Sequence, residues 1–166
     1  MIEIRPETPA DVHAIHKMVD AAFHQSSEGL LIDNLREGGD LVLSLVAVDG
    51  DRIVGHIGFA RLKIDQPDFS SFDAVALAPL SVHPDHQDQG IGGDLIVAAH
   101  KILIAAGEKL SVVLGDPEYY GRFGYRRDIA EGFESGYQSD FLLARPFSED
   151  FPRTGILRYP PAFSEM

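Results

Sequence analysis

The 166-residue chain contains no cysteine. That excludes a disulfide, a thiolate nucleophile and a zinc–thiolate cluster, and it is compatible with the reducing cytoplasm. Positive charge is scarce: 14 lysines and arginines stand against 26 aspartates and glutamates, for a net charge of -12. Such a chain lacks the basic face that nucleic acid requires and is poorly matched to an anionic membrane surface. Long apolar runs are missing as well, none approaching the roughly 18 residues of a membrane span. The start, Met1-Ile2-Glu3-Ile4-Arg5, lacks the basic-then-apolar order of a secretory signal. The expectation is a soluble cytoplasmic protein with no nucleic-acid and no membrane partner. Its negative field attracts a cationic amine and repels a polyanion at long range, so any bound phosphate depends on local backbone donors.

What is present is the composition of a globular protein, 45% hydrophobic and 24% charged. The length predicts one domain over residues 1–147. A proline-rich polar tail, 148–166, packs on it, with 155–159 as a possible edge strand. Residues 2–5 alternate as a strand, and Thr8-Pro9 opens a helix whose apolar stripe runs through Val12, Ile15, Val19 and Phe23. A second helix over 27–36 ends at Gly38-Gly39. Strands are predicted at 41–49 and 52–64 around an Asp49-Gly50 turn, then at 72–82, 110–114 and 141–144, with another beginning at Tyr125. Hairpin strands followed by strands joined through helices point to an α/β (mixed α+β) fold with a mixed sheet.

The organising stretch is Leu80-Ser81-Val82-His83-Pro84-Asp85-His86-Gln87-Asp88-Gln89-Gly90-Ile91-Gly92-Gly93. An apolar strand stops at proline, a polar turn follows, and a helix begins among glycines, its apolar face marked by Ile91, Leu95, Ile96, Ala99 and Leu103. The first amides of a helix lack intrahelical partners and carry partial positive charge. Gly90, Gly92 and Gly93 let an anion approach them closely. A dinucleotide fingerprint is excluded by Leu95 at the third glycine position, and a nucleotide-hydrolase loop by the lack of lysine before Lys101.

Gln87-x-x-Gly90-x-Gly92 resembles the acyl-CoA pyrophosphate loop of the GNAT N-acetyltransferase superfamily. Tyr120 followed by Gly124-Tyr125 is similar to that family's second signature. The strand with Gly55-His56-Ile57, the run from Val113 to Tyr120 and the ending Tyr159-Pro160-Pro161-Ala162-Phe163 are similar to a bacterial branch of predicted acetyltransferases. The resemblance implies a single GNAT-like domain, a twisted mixed β-sheet split into a V between strands ending near Val82 and Leu114 and flanked by helices. Acetyl-CoA would lie in the V as co-substrate, its pantetheine arm against the backbone of Leu80, Ser81 and Val82 and its pyrophosphate on Gln87, Asp88, Gln89, Gly90, Ile91, Gly92 and Gly93. Gln89 stands where the family commonly has arginine.

The resemblance further implies acetyl transfer to a primary amine, on a small molecule or a peptide, by direct attack, with Tyr120 as the acid that protonates the leaving thiolate. The strand at 72–82 carries no midway glutamate, so the base is open among Glu28, His56 and Glu118, Glu28 and His56 being also candidate substrate contacts. That missing acid keeps a non-catalytic acyl-CoA-binding regulatory module as the alternative. His83 and His86 lack a third ligand, so no metal site is expected. His13, His16, His24 and His100 read as surface groups on helices, and Asp116 as a helix cap. The acceptor pocket is expected from residues 25–37 and 128–138, where no motif names the substrate. A homodimer through the tail strand is compatible with the pattern.

Overall fold

The computed structural model describes residues 1–165. Strand β1 (Ile2–Pro6) leads through a 3-10 turn into α1 (Val12–Phe23), and α2 (Ser27–Glu37) follows at once. Asp11 fixes this entry: its carboxylate accepts from the Thr8 amide at 2.7 Å and from both ends of the Arg5 guanidinium at 2.7 and 3.1 Å. These bonds hold its carboxyl well below the usual carboxylate range.

Strands β2 (Leu41–Asp49), β3 (Arg52–Asp65) and β4 (Ser71–Val82) then form an antiparallel meander. The glycine loop connects β4 to α3 (Ile91–Ala105), which returns the chain to β5 (Leu110–Leu114). Beyond it come α4 (Pro117–Gly121), α5 (Arg127–Ala130), the short β6 (Phe133–Glu134), β7 (Leu142–Pro146) and β8 (Gly155–Arg158). The eight-stranded sheet runs β1-β2-β3-β4-β5-β7, and β8 joins it by pairing with both β3 and β6.

Helices cover both faces of the sheet, which is why β3 is buried almost continuously and does not alternate. On one face Ile91, Leu95, Ala99 and Leu103 of α3 pack on Leu45, Ile57, Val75 and Val113. On the other, Ile15 and Val19 of α1 and Ile32 of α2 pack on Val46 and Val48. A third cluster joins β5, β7 and α5 to the C-terminal segment through Phe151 and Leu157.

Two expectations are corrected. No strand begins at Tyr125: Arg126 makes a single reciprocal bridge with Ala144, at 2.8 and 3.0 Å, and the chain then turns into α5. The Arg126 guanidinium clasps the Asp128 carboxylate at 3.0 and 2.6 Å, which favours the turn over an extended ladder. His100 is not a surface group. It is buried, and its Nε2 lies 3.0 Å from the Tyr125 hydroxyl, which lies 2.8 Å from Ser111 Oγ. Burial pushes the His100 imidazole down to about 4 and the Tyr125 phenol well above its ordinary value.

Candidate active site

The site begins where two parallel strands part. β4 and β5 pair only at Val75–Ser111, Ala76–Val112 and Leu77–Val113. Beyond Leu77, β4 is paired on its β3 side alone. The cause is local: Ile57 opposes Leu80 while Phe59 opposes Leu77, so Gly58 faces both Ala78 and Pro79 in a bulge. A bulge bends its strand and breaks the ladder, and proline contributes no N–H to it. The outer backbone edge of β4 at 78–82 is thereby left open to an extended ligand.

The glycine loop continues this edge. Gln87 Nε2 donates to the Val82 carbonyl at 3.1 Å and ties the loop to the end of β4. His86 Nε2 lies 3.4 Å from Asp49, and Arg52 reaches His83 Nε2 at 3.1 Å, so both histidines anchor the loop to the β2–β3 hairpin. Gln87, Asp88, Gln89 and Gly90 are exposed, while Ile91 is buried beneath α3. Gly90 caps the helix at φ 82°, a left-handed conformation that favours glycine. The first intrahelical bond runs from the Asp94 amide to the Gly90 carbonyl at 3.0 Å, which leaves the Ile91, Gly92 and Gly93 amides without helical partners. These donors fit a pyrophosphate.

Gly92 and Gly93 also have a packing role. A Cβ on Gly92 would sit 2.8 Å from the Tyr119 hydroxyl, and one on Gly93 3.1 Å from the Phe123 ring. Arg122 lies over the Tyr119 ring at 4.9 Å and by the Phe123 ring at 5.8 Å. Among the described residues Arg122 makes no ion pair. A guanidinium outside any ion pair thus packs on the two rings that abut Gly92 and Gly93, in a loop where Gln89 supplies no charge.

At the parting of β4 and β5 lies a cavity of about 380 Å³. Its walls come from three directions. The strands contribute Leu77 to Leu80 and Val112 to Leu114, the N-terminal helices Phe23, Glu28 and Leu31, and the later segments Tyr120 of α4 with Tyr137, Tyr159 and Phe163. Tyr120 stands at the end of β5 because Asp116 caps α4, accepting from the Glu118 amide at 3.0 Å, with Pro117 at the first helical position. Its ring packs edge-on against Tyr119 and Tyr125, at 5.0 and 5.8 Å between centroids. Burial, aided by the neighbouring Tyr119, pushes its hydroxyl up to about 12. No protein group among the described residues hydrogen-bonds that hydroxyl.

The candidate bases separate cleanly. Glu28 lines the same cavity as Tyr120. Its carboxylate accepts from Gln25 Nε2 at 2.8 and 2.9 Å and from Ser27 Oγ at 3.0 Å. Glu118 is exposed and lies outside the cavity wall. His56 is fully buried elsewhere, with Nε2 2.8 Å from Ser44 Oγ. Ser44 in turn bonds Glu7, which is clamped by Arg36 at 2.8 Å through two nitrogens. Burial pushes the His56 imidazole down to about 4, and it does not line the cavity. Its expected role as a substrate contact is thus not supported by its position. Helices cover both faces of the sheet that carries it, a circumstance that strand alternation does not reveal.

Comparison with known proteins agrees with this geometry. A family model described as an acetyltransferase (GNAT) domain matches residues 3–127. The chain belongs to the GNAT acetyltransferase family. It is 33% identical over 123 residues to the uncharacterized N-acetyltransferase YhbS of Escherichia coli, covering 74% of this chain and 72% of that protein. It is 35% identical over 118 residues to the uncharacterized N-acetyltransferase YjhQ of the same species, covering 70% of this chain and 65% of that one. Among solved structures, a GNAT family acetyltransferase from Brucella melitensis in complex with acetyl-CoA superposes with a TM-score of 0.83 at 33% identity, over 98% of each chain. E. coli YhbS in complex with CoA superposes at 0.89 and 27% identity, over 98% of this chain and 92% of that one.

Proposed function

We propose that this protein moves an acetyl group from acetyl-CoA to a primary amine by direct attack. The observation that carries the reading is the meeting of Glu28 and Tyr120 in one cavity where β4 and β5 part. The acetyl-CoA complex of the Brucella relative and the CoA complex of YhbS support the donor. The pantetheine arm pairs with the open edge of β4 as an added strand would. The pyrophosphate takes the free amides of Gln87 to Gly93, and Arg122 supplies the cation that Gln89 does not.

In the reaction the neutral amine nitrogen attacks the thioester carbonyl carbon. Glu28 accepts the proton that the nitrogen sheds, directly or through one water. The carbon–sulfur bond breaks as the tetrahedral adduct collapses, and Tyr120 gives its phenolic proton to the departing sulfur. The products are an amide and free CoA thiol. Without cysteine, an acyl-cysteine relay is closed.

The test is release of CoA thiol from acetyl-CoA in the presence of amines, with acetyl-CoA affinity measured separately by calorimetry. Tyr120→Phe is expected to lower kcat by roughly 10²–10⁴, and Glu28→Gln to lower kcat/KM by roughly 10²–10³, both with acetyl-CoA affinity kept. Full turnover in either variant, with chemistry shown to limit the rate, removes that residue from the mechanism.

A further inference from the structure

We propose that the acceptor is a monoamine with an apolar or aromatic body and no anionic group, seated with its nitrogen at Glu28. This rests on the transferase reading and adds the substrate class. The argument is the chemistry of the cavity wall. Among its lining residues Glu28 is the only acidic one, and no lysine, arginine or histidine faces the space. The remaining polar side chains are phenols, two of which burial keeps protonated: Tyr120 and Tyr159 are each pushed up to about 12.

The donor and acceptor ends can be told apart. Leu80 and Val82 face α3 and the glycine loop, since both approach the Cβ position of Gly92. The donor's acyl end therefore enters from that side. The rest of the wall includes Phe23 and Leu31 of the first two helices and an aromatic stack. Tyr137 meets Tyr159 edge-on at 5.0 Å, and Tyr159 meets Phe163 at 5.0 Å with a 57° tilt. Such rings accept an aromatic edge. A cavity of about 150 Å³ already holds a benzene ring. The roughly 380 Å³ here leaves room for an acetyl thioester end and an arylalkyl group together.

The same wall rejects other amines. An amino acid or a phosphorylated amine would place its anion near Glu28 with no cation to receive it, and like charge in a low-dielectric pocket is strongly excluded. A diamine would lay its second ammonium against phenyl and leucine surface with no second carboxylate. The net charge of -12 draws every cation toward the protein, so the discrimination belongs to the pocket and not to the long-range field.

The experiment compares phenethylamine with phenylalanine, which adds only a carboxylate, and with cadaverine, which carries a second ammonium, all at saturating acetyl-CoA. In parallel, phenethylamine is titrated calorimetrically into the CoA-loaded protein. We expect kcat/KM for phenethylamine at least about 100-fold above both others. Tyr137→Ala should raise its KM about tenfold with kcat nearly kept, and Glu28→Gln should weaken its binding. Equal or better turnover of phenylalanine or cadaverine overturns the acceptor class and leaves the transferase intact. Turnover of none of the three, with acetyl-CoA bound, also overturns it. Failure of acetyl-CoA itself to bind overturns the transferase reading, and this inference with it.

Discussion

Tyr120 is placed by its neighbours and left free at its tip. Two aromatic edges and the α4 turn fix the ring, while no described protein group engages the hydroxyl. If Tyr120 protonates the leaving sulfur as proposed, a hydroxyl at about 12 against a thiol of ordinary pKa about 8.5 makes stepwise proton transfer uphill by about 5 kcal/mol. In the proposed mechanism the proton therefore moves in concert with carbon–sulfur cleavage, so that the free energy released as the tetrahedral adduct collapses offsets the transfer. The same burial keeps Tyr120 protonated across the working range, so the pH profile of kcat should show no falling limb from this group below about pH 10. Arg122 gives a second prediction at this scale. If its guanidinium meets the phosphates, Arg122→Ala weakens acetyl-CoA binding about five- to twentyfold and flattens the salt dependence of that affinity. An unchanged salt slope in calorimetry at two ionic strengths would assign the phosphate contact to backbone amides alone.

At the scale of elements, the join between β5 and α4 determines where the phenol sits. A Cβ on Gly115 would lie 2.4 Å from a ring carbon of Tyr120. Gly115 therefore makes room for the ring, and its backbone needs no left-handed conformation. Gly115→Ala is expected to push the ring off position and to lower kcat at least tenfold with acetyl-CoA affinity kept. A variant with unchanged kcat would show that the ring has slack. This dependence was not legible from the sequence, because the gap is created by two segments meeting in space. The glycine loop was legible, since a strand, a proline stop and a helix start leave a periodic trace. So were the paired opening helices, the β2–β3 hairpin and the Asp116 cap, each of which is written in local spacing. The aromatic wall was not, because Tyr137 and Tyr159 come from loops with no periodicity and meet only after the C-terminal segment folds back as β8. The full burial of His56 was hidden for a related reason. A histidine in a strand looks half-exposed until helices are known to cover both faces.

Covering both faces has a consequence for the whole molecule, because it buries two neutral histidines. His56 and His100 are each held down to about 4, mainly by burial, against an ordinary value of 6.5. Below pH 6.5 the unfolded chain takes up protons there that the folded chain refuses, so stability falls as pH drops from 6.5 toward 4. His16 runs the other way. Its hydrogen bond to Asp33 raises its pKa, so its contribution is complete below 6.5 and is lost only as pH rises through the raised value. The lowered carboxyls of Glu7 and Asp11 contribute above the ordinary carboxylate range and lose that contribution only as pH falls below about 5. Between about pH 6.5 and 5 the two buried histidines therefore dominate, each with roughly 2 kcal/mol. Urea unfolding should show the protein about 3–4 kcal/mol less stable at pH 5 than at pH 7, with close to two protons taken up on unfolding. His56→Gln should remove about half of that slope, and NMR titration of the native protein should find the His56 ring still neutral at pH 5. A native His56 that titrates near 6.5 would mean that water reaches it. The line from Arg36 through Glu7 and Ser44 would then be a solvated channel and not a sealed part of the core.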